Sequence, residues 1–188
     1  MFRSLVVFLI IAFSSNVSAR SLTDEEWATL EHAINTVSAH FQIPLVVLYG
    51  VYMQERGWPG AAQDVGSSAD LGVFQINNNP NNWLPELERV LGLDGYSIQH
   101  SISANTAAAG YILHKEFERT GAWTEAAANY HRHARDSFRD RYQKSVVQYM
   151  LTLLERDPSL AMVYGTSSRV RDPNYYSTSQ ISIVSPES

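Results

Sequence analysis

Apolar residues recur at three- and four-residue steps along most of this chain, the spacing that places them on one face of an α-helix. The first such run lies between Trp27 and Phe41. It follows the pattern Thr23-x-x-Glu26, in which each side chain of a capping box can satisfy a backbone amide of the other residue. We therefore predict a first helix that begins at Thr23.

The second predicted helix is almost wholly apolar and ends close to an acidic residue. It runs over residues 45–53 behind Pro44, and a proline fits the first turn of a helix. Gly57 and Pro59 prevent the helix from continuing far past Glu55. Glu55 is therefore predicted at the end of a buried helix.

Residues 57–82 lack helical periodicity and are rich in Gly, Asn, Ser, Asp and Pro. This composition is typical of loops and turns. The short apolar run Val73–Ile76 is the segment within it that is predicted to pair as a strand. We expect loops with a small β-ribbon here.

Helical patterns return after residue 82, and we predict further helices over Leu84–Leu91, Ile102–Arg119, Thr124–Arg135 and from Ser137 to Asp157. Gly121 closes the second of these, a threonine cap opens the third, and Asp157-Pro158 stops the last. The last helix has the clearest apolar face, formed by Phe138, Tyr142, Val146, Met150, Leu153 and Leu154. The predicted fold class is mainly α, with a small β-ribbon.

The two ends of the chain differ from the region between them. Residues 1–19 carry Arg3, an apolar run and the small residues Val17-Ser18-Ala19, a pattern typical of a cleaved secretory signal peptide. Left uncleaved, the same run could hold the protein at a membrane. Residues 165–188 are rich in Ser and Thr without apolar periodicity, which predicts a disordered tail. One folded domain is expected over residues 20–164.

Composition and charge narrow the classes of function. The exported chain has no cysteine, so its stability must come from burying its 45% of apolar residues. The net charge is −5 and becomes more negative once Arg3 is removed with the signal. Nucleic acid binding is not expected, because Asp136 and Asp140 interrupt the one arginine-rich stretch, at 132–141.

Glu55 is the candidate for acid chemistry. A glycosidase needs a carboxylic acid that stays protonated near neutral pH, and an apolar setting favours the protonated form. Leu48, Tyr49, Val51 and Tyr52 precede Glu55 and would provide that setting. The alternative is a glutamate at a helix end that faces solvent, and spacing alone leaves both interpretations open.

The segment that begins at Glu55 resembles the signature of the soluble lytic transglycosylases, which share a lysozyme-like fold. The matching residues are Glu55, Gly57, Gly72, Gln75, Ile76 and Asn77. WTEAAANY at 123–130 resembles a later motif of the family. The segments ADLGVFQIN, WLPEL and NTAAAGYIL are similar to the small transglycosylases of conjugation and type IV secretion systems. The likeness covers residues 25–155.

The resemblance implies cleavage of the peptidoglycan glycan strand with formation of 1,6-anhydro-MurNAc. Glu55 matches the single catalytic acid/base, Gln75 a substrate contact, and Tyr130 a hydroxyl near the catalytic site, which Asn77 would support. Trp58 and Trp83 are candidates for stacking on sugar rings because they lie in the loop-rich region. The implied protein is periplasmic, monomeric and free of cofactor and metal, and serves a secretion, conjugation or pilus system.

The chain departs from the family pattern in three places. Arg56 stands where Ser is usual, and a guanidinium turned towards Glu55 would lower the pKa of that carboxyl. Phe74 replaces a common Met, and residues 131–133 (His-Arg-His) replace Asn-Ala-Gly. Because of Arg56, an inactive glycan-binding component of an assembly remains an alternative.

A hydrolytic muramidase is a further alternative. Either Asp64 or Asp70 would then activate a water molecule opposite Glu55. Asp70 is more naturally explained as holding the Gly72 loop through local hydrogen bonds to the backbone. His131 and His133 have no third partner at the spacing of a zinc site, so we expect no metal.

Overall fold

A computed structural model of the protein describes residues 20–131 and 136–164. The predicted signal peptide at 1–19, the predicted tail at 165–188 and the predicted helix end at Arg135 lie outside these residues. The described part contains seven α-helices and one three-stranded sheet, so the prediction of a mainly α domain with a small β-ribbon is confirmed. None of the described helices is both long enough and apolar enough to cross a membrane.

The first two helices form as predicted. Helix α1 spans Asp24–Phe41, and its capping box is present in full. The Thr23 hydroxyl accepts a hydrogen bond from the Glu26 amide at 3.2 Å, and the Glu26 carboxylate accepts one from the Thr23 amide at 2.9 Å. Helix α2 spans Leu45–Glu55 and ends where Arg56 adopts a left-handed conformation.

The sheet follows α2 and differs from the prediction. Strands β1 (Ala62–Val65), β2 (Ser68–Leu71) and β3 (Ile76–Asn77) pair antiparallel in the order β1-β2-β3. The strand predicted at 73–76 is wrong apart from its last residue. Gly72 and Gln75 have φ angles of 68° and 51°, so the backbone between them turns and buries Val73 and Phe74 in the core.

Five helices complete the described chain, and a 3₁₀ turn, Pro158–Ala161, follows the last of them. They are α3 (Leu84–Leu91), α4 (Gly95–His100), α5 (Ile102–Thr120), α6 (Trp123–His131) and α7 (Ser137–Arg156). The predictions of α3, α5 and α7 are confirmed within one residue. Helix α4 was not predicted, because its six residues are too few to show periodicity. The threonine cap of α6 was wrong, since the helix begins at Trp123 and Thr124 is buried inside it.

Helix α2 lies in the core and packs against α1, α6 and α7. Its side chains Val46, Val47, Leu48 and Val51 are fully buried. Helix α7 packs along α2 and α6 through a face that includes Tyr142, Val146 and Met150. Phe138 was wrongly placed on that face, since 58% of its surface is exposed. This packing brings the end of α2 to the same side of the domain as the sheet and α6.

Candidate active site

A cleft of about 630 Å³ is bordered by the end of α2, the sheet, the start of α3 and the end of α6. Polar side chains, including Gln63, Asn79 and Asn82, form much of its wall. Such a mixture of amides and apolar surface is suited to a ligand with many hydroxyl groups. Five of the six site residues predicted from the sequence line this cleft, namely Glu55, Gln75, Asn77, Trp83 and Tyr130.

Trp58 is the predicted site residue that does not line this cleft. It lies in the loop after α2, where its carbonyl oxygen accepts a hydrogen bond from the Ala61 amide at 3.0 Å. Trp83 precedes α3 and meets the ring of Tyr111 edge to face, with 6.4 Å between the ring centroids. The structure therefore brings Trp83, but not Trp58, to the cleft.

The carboxyl group of Glu55 is held inside this cleft. Burial is the main cause that raises its pKa from 4.5 to about 8, and the negative charge of Asp70 adds to the rise. The Tyr142 hydroxyl donates to Oε1 of Glu55 at 2.5 Å and opposes the rise. Glu55 is thus a partly buried acid that keeps its proton at neutral pH, rather than a helix-end residue that faces solvent.

Two tyrosine hydroxyls flank the acid. Tyr130, in α6, donates to the carbonyl oxygen of Phe74 at 2.6 Å, and Tyr142 comes from α7. Burial raises the pKa of both hydroxyls well above the usual value of 10. Both tyrosine hydroxyls therefore keep their protons at neutral pH. The sequence analysis placed Tyr142 in the last helix and assigned it no role at the site, because no local pattern reveals that α7 passes the end of α2.

Arg56 is turned away from Glu55. Its Nε donates to the carbonyl oxygen of Met53 at 2.9 Å, and Nη2 donates to the Tyr149 hydroxyl at 3.3 Å. The guanidinium carbon lies 5.6 Å from the centre of the Tyr149 ring. The left-handed backbone at Arg56, with φ 49°, directs the side chain to this outer surface. The cation that could have lowered the pKa of Glu55 is thus paired elsewhere.

We therefore expect the Arg56→Ser variant to leave the pKa of the Glu55 carboxyl within about half a pH unit of the wild type, because exposed substitutions away from a site have small effects. The measurement is a ¹³C titration of the Glu55 carboxyl, with Lys144→Ser, an exposed substitution on α7, as the control. A rise of more than about one pH unit for Arg56→Ser alone would contradict this placement of the guanidinium.

The turn between β2 and β3 is packed closely against the end of α2. The Gly57 amide donates to the Val73 carbonyl at 3.1 Å, and the Gln75 side-chain amide donates to the Gly72 carbonyl at 2.7 Å. A Cβ atom on Gly57 would lie only 2.0 Å from that same carbonyl oxygen. A glycine is required at position 57, since any side chain would push the turn away from Glu55.

Asn105 fixes the other side of this turn and is fully buried. Its Oδ1 accepts from the Phe74 amide at 2.7 Å, and its Nδ2 donates to the carbonyl oxygens of Leu71 and Ile98 at 2.8 and 2.9 Å. One side chain in α5 thereby joins the turn and α4. The sequence analysis gave it no role, although an asparagine four residues into a helix and close to a run of alanines is a signal that a buried polar partner is needed.

Asp70 and Asn77 form a pair on neighbouring strands. The Asn77 side chain donates to Asp70 at 2.7 Å and to the Ser68 hydroxyl at 3.2 Å. Asp70 lines the cleft, whereas Asp64 is exposed on β1 and is not part of the lining. The expected local bond from Asp70 to the Gly72 loop is replaced by this bond between strands. Asn77 therefore supports Asp70 directly.

Burial raises the pKa of Asp70, while the bond from Asn77 and the charge of His131 act in the opposite direction. Asp70 is thus a second carboxyl in the cleft, electrostatically coupled to Glu55. Among residues 20–131 and 136–164, no three His, Asp or Glu side chains gather as a metal site. His133, which the sequence analysis considered together with His131, lies outside these residues.

Comparison of the chain with protein-family models, with curated proteins and with solved structures found no match. The basis for a function is thus the chemistry of the cleft. That chemistry consists of one protonated carboxyl, a second carboxyl on the sheet, two tyrosine donors and a wall of side-chain amides.

Proposed function

We propose that this protein is a peptidoglycan lytic transglycosylase with a lysozyme-like fold, which cleaves the β-1,4 bond between MurNAc and GlcNAc. The observation that carries the proposal is Glu55, whose carboxyl group is kept protonated inside a polar cleft. A helix-ending glutamate opposite a small antiparallel sheet supports the lysozyme-like fold. The order of the motifs from Glu55 to Tyr130 supports the family.

The reaction needs one residue that is first an acid and then a base. Glu55 donates its proton to the oxygen that bridges MurNAc and GlcNAc, so the C1–O bond breaks and the GlcNAc end leaves as an alcohol. The Glu55 carboxylate then removes the proton of the MurNAc C6 hydroxyl while O6 bonds to C1. The product is a 1,6-anhydro ring, and no water is consumed.

The tyrosines and Asp70 have distinct parts in this scheme. The bond from Tyr142 stabilises Glu55 as a carboxylate between the two proton transfers. Tyr130 fixes the Phe74 carbonyl and with it the turn that borders the cleft. The negative charge of Asp70 favours the protonated form of Glu55 and would stabilise positive charge that develops at C1.

Substrate binding follows from the lining of the cleft. Trp83 offers a flat surface on which a sugar ring can stack, and the side chain of Gln75 lines the same cleft as Glu55. Glycan strands are the substrate, and no cofactor takes part in the scheme. The proposed enzyme is exported to the periplasm, acts as a monomer and opens the cell wall locally for a secretion, conjugation or pilus system.

Hydrolysis is the second candidate, and Asp70 is the observation that favours it. Glycosidases that use water have two carboxyl groups, one on each side of the bond that breaks. Asp70 lines the same cleft as Glu55 and could direct a water molecule to C1. The two candidates therefore differ in the group that attacks C1.

A digest of purified sacculi in water enriched in ¹⁸O distinguishes these candidates. We expect muropeptides that end in 1,6-anhydro-MurNAc and carry no ¹⁸O, because O6 is the attacking group. Reducing ends that carry ¹⁸O would show hydrolysis instead. Binding to sacculi without any release would make the protein a glycan-binding component. Mass spectrometry of the soluble products separates the three results.

A further inference from the structure

His131 is a residue of the cleft that the scheme above does not use. It is the last described residue of α6 and lines the cleft together with Glu55, Asp70 and Tyr130. Its ring lies parallel to that of Tyr142, at 5° between the planes and 4.5 Å between the centroids. Tyr142 is the residue that donates to Glu55. The imidazole therefore covers one face of the ring whose hydroxyl is hydrogen-bonded to the acid.

The charges around His131 come from three other elements. Glu55 in α2 and Asp70 in β2 are acidic, while Tyr130 and Tyr142 keep their protons. The other cation nearby on α7, Arg139, is 2% exposed and is paired with Glu125 at 2.5 Å. Among these described groups, Asp70 is the one whose charge His131 stabilises.

We propose that His131 is a positioning residue of the cleft, with a ring that holds Tyr142 against Glu55 and an imidazolium that favours the ionised form of Asp70 in the same cleft. The proposal rests on the proposed function, in which Glu55 must be protonated while Asp70 is ionised. The two roles use different properties of one side chain: the flat ring for stacking and the imidazolium for charge. The asparagine that is usual in the family at this position would supply neither.

The charge role has a consequence for the pH dependence of cleavage. A cation near Asp70 favours the ionised carboxylate, so Asp70 stays charged to lower pH than it would alone. In the proposed scheme it is ionised Asp70 that stabilises the positive charge that develops at C1, so cleavage slows once Asp70 takes up a proton. The acidic limb of the pH–rate profile should therefore depend on His131, whereas a residue that only packs would change the rate equally at every pH.

Three variants of the full mature chain separate the ring from the charge. His131→Phe keeps a ring to stack on Tyr142 and removes the charge, while His131→Lys keeps a charge and removes the ring. His131→Asn removes both. The readouts are the pH profile of kcat and KM on sacculi, and the ¹³C titration of the Asp70 carboxyl, identified by its absence in Asp70→Asn.

For His131→Phe we expect kcat at the optimum to remain within about twofold, with the acidic limb and the Asp70 titration moved up by about half a pH unit or more. For His131→Lys the acidic limb and the Asp70 titration should both stay at the wild-type pH, while kcat falls about threefold to tenfold at every pH. His131→Asn should show both changes. The proposal would be overturned if the pH–rate profiles of His131→Phe and His131→Lys differed from the wild type only by the same factor at every pH and the Asp70 titration were unchanged.

The carboxyl titration separates this inference from the proposed function, because it needs no turnover. A chain that cleaves no glycan, yet in which the Asp70 titration moves up in His131→Phe and not in His131→Lys, would refute the proposed function and support the charge role of His131. If the protein cleaves sacculi but the Asp70 titration is the same in all variants, the proposed function is supported and the charge role of His131 is refuted.

Discussion

The Glu55→Gln variant is expected to release muropeptides about a thousand times more slowly than the wild type. Glutamine has nearly the shape of glutamic acid and can still meet the Tyr142 hydroxyl. Its amide, however, can neither protonate the bridging oxygen nor accept the proton of the C6 hydroxyl. The rate of release from sacculi, measured with the wild type at the same pH, gives the result.

The same variant should be more stable than the wild type at neutral pH. The pKa of Glu55 is about 8 in the folded protein and about 4.5 in an exposed carboxyl, so between these values the folded state holds a proton that the unfolded state has lost. Stability therefore falls as the pH rises from 4.5 towards 8. Glutamine removes this cost, and we expect a gain of about 1–2 kcal/mol in the free energy of unfolding at pH 7.5.

Urea unfolding at pH 7.5 and at pH 4 measures this gain, which should vanish at the lower pH. Glu155→Gln, at an exposed position on α7, is the matched control and should change neither activity nor stability. A Glu55→Gln protein that is stable and retains more than about a tenth of the wild-type rate would show that another group supplies the proton. A stable but inactive variant separates lost chemistry from lost folding.

The Asn105→Ala variant is expected to lose about 2–4 kcal/mol in the free energy of unfolding, a large share of what a domain of this size possesses. Alanine would leave the Phe74 amide and the carbonyl oxygens of Leu71 and Ile98 without their buried partner. The turn before β3 would lose its attachment to α5, so cleavage should fall together with stability. Urea unfolding followed by circular dichroism measures the change.

Asn81→Ala, in the exposed loop before α3, is the control and should stay within about half a kcal/mol of the wild type. Asn105→Asp tests the hydrogen bonds more narrowly because it keeps the shape of the side chain. Its carboxylate would face the Leu71 and Ile98 carbonyl oxygens, so this variant should lose more stability at pH 8 than at pH 4. Equal stability of Asn105→Asp and the wild type at both values would contradict the role of Asn105.

Most helices could be predicted from the sequence because their signals are local. The capping box at Thr23 and the glycine after α5 determine helix ends through bonds within a few residues. The strand at Val73–Ile76 failed for the opposite reason. Residues 73 and 74 are buried by packing in the core and by the bond from Phe74 to Asn105, which lies thirty-one positions away along the chain. The left-handed position that ends the turn is occupied by Gln75 rather than by a glycine, so the sequence contains no signal of a turn there.

The residues of the candidate site could be predicted where they belong to motifs of the family that the chain resembles. Contacts between separate helices could not be predicted. Glu55, Gln75 and Tyr130 were found from motifs, and the structure brings them to one cleft. Tyr142 lies eighty-seven positions after Glu55 and reads as an ordinary core residue. Arg56 shows the same limit, since the sequence gives the cation next to the acid but not the backbone angle that turns it towards Tyr149.

A ¹³C titration of the Glu55 carboxyl tests most directly whether this cleft holds a protonated acid at neutral pH. The signal is identified by its absence in Glu55→Gln, and Tyr142→Phe shows the contribution of the hydroxyl that opposes the rise. The predicted midpoint is a pKa of about 8 in the wild type, and a higher value in Tyr142→Phe. A wild-type midpoint near 4.5, the value of an exposed carboxyl, would contradict Glu55 as the acid that opens the glycan strand.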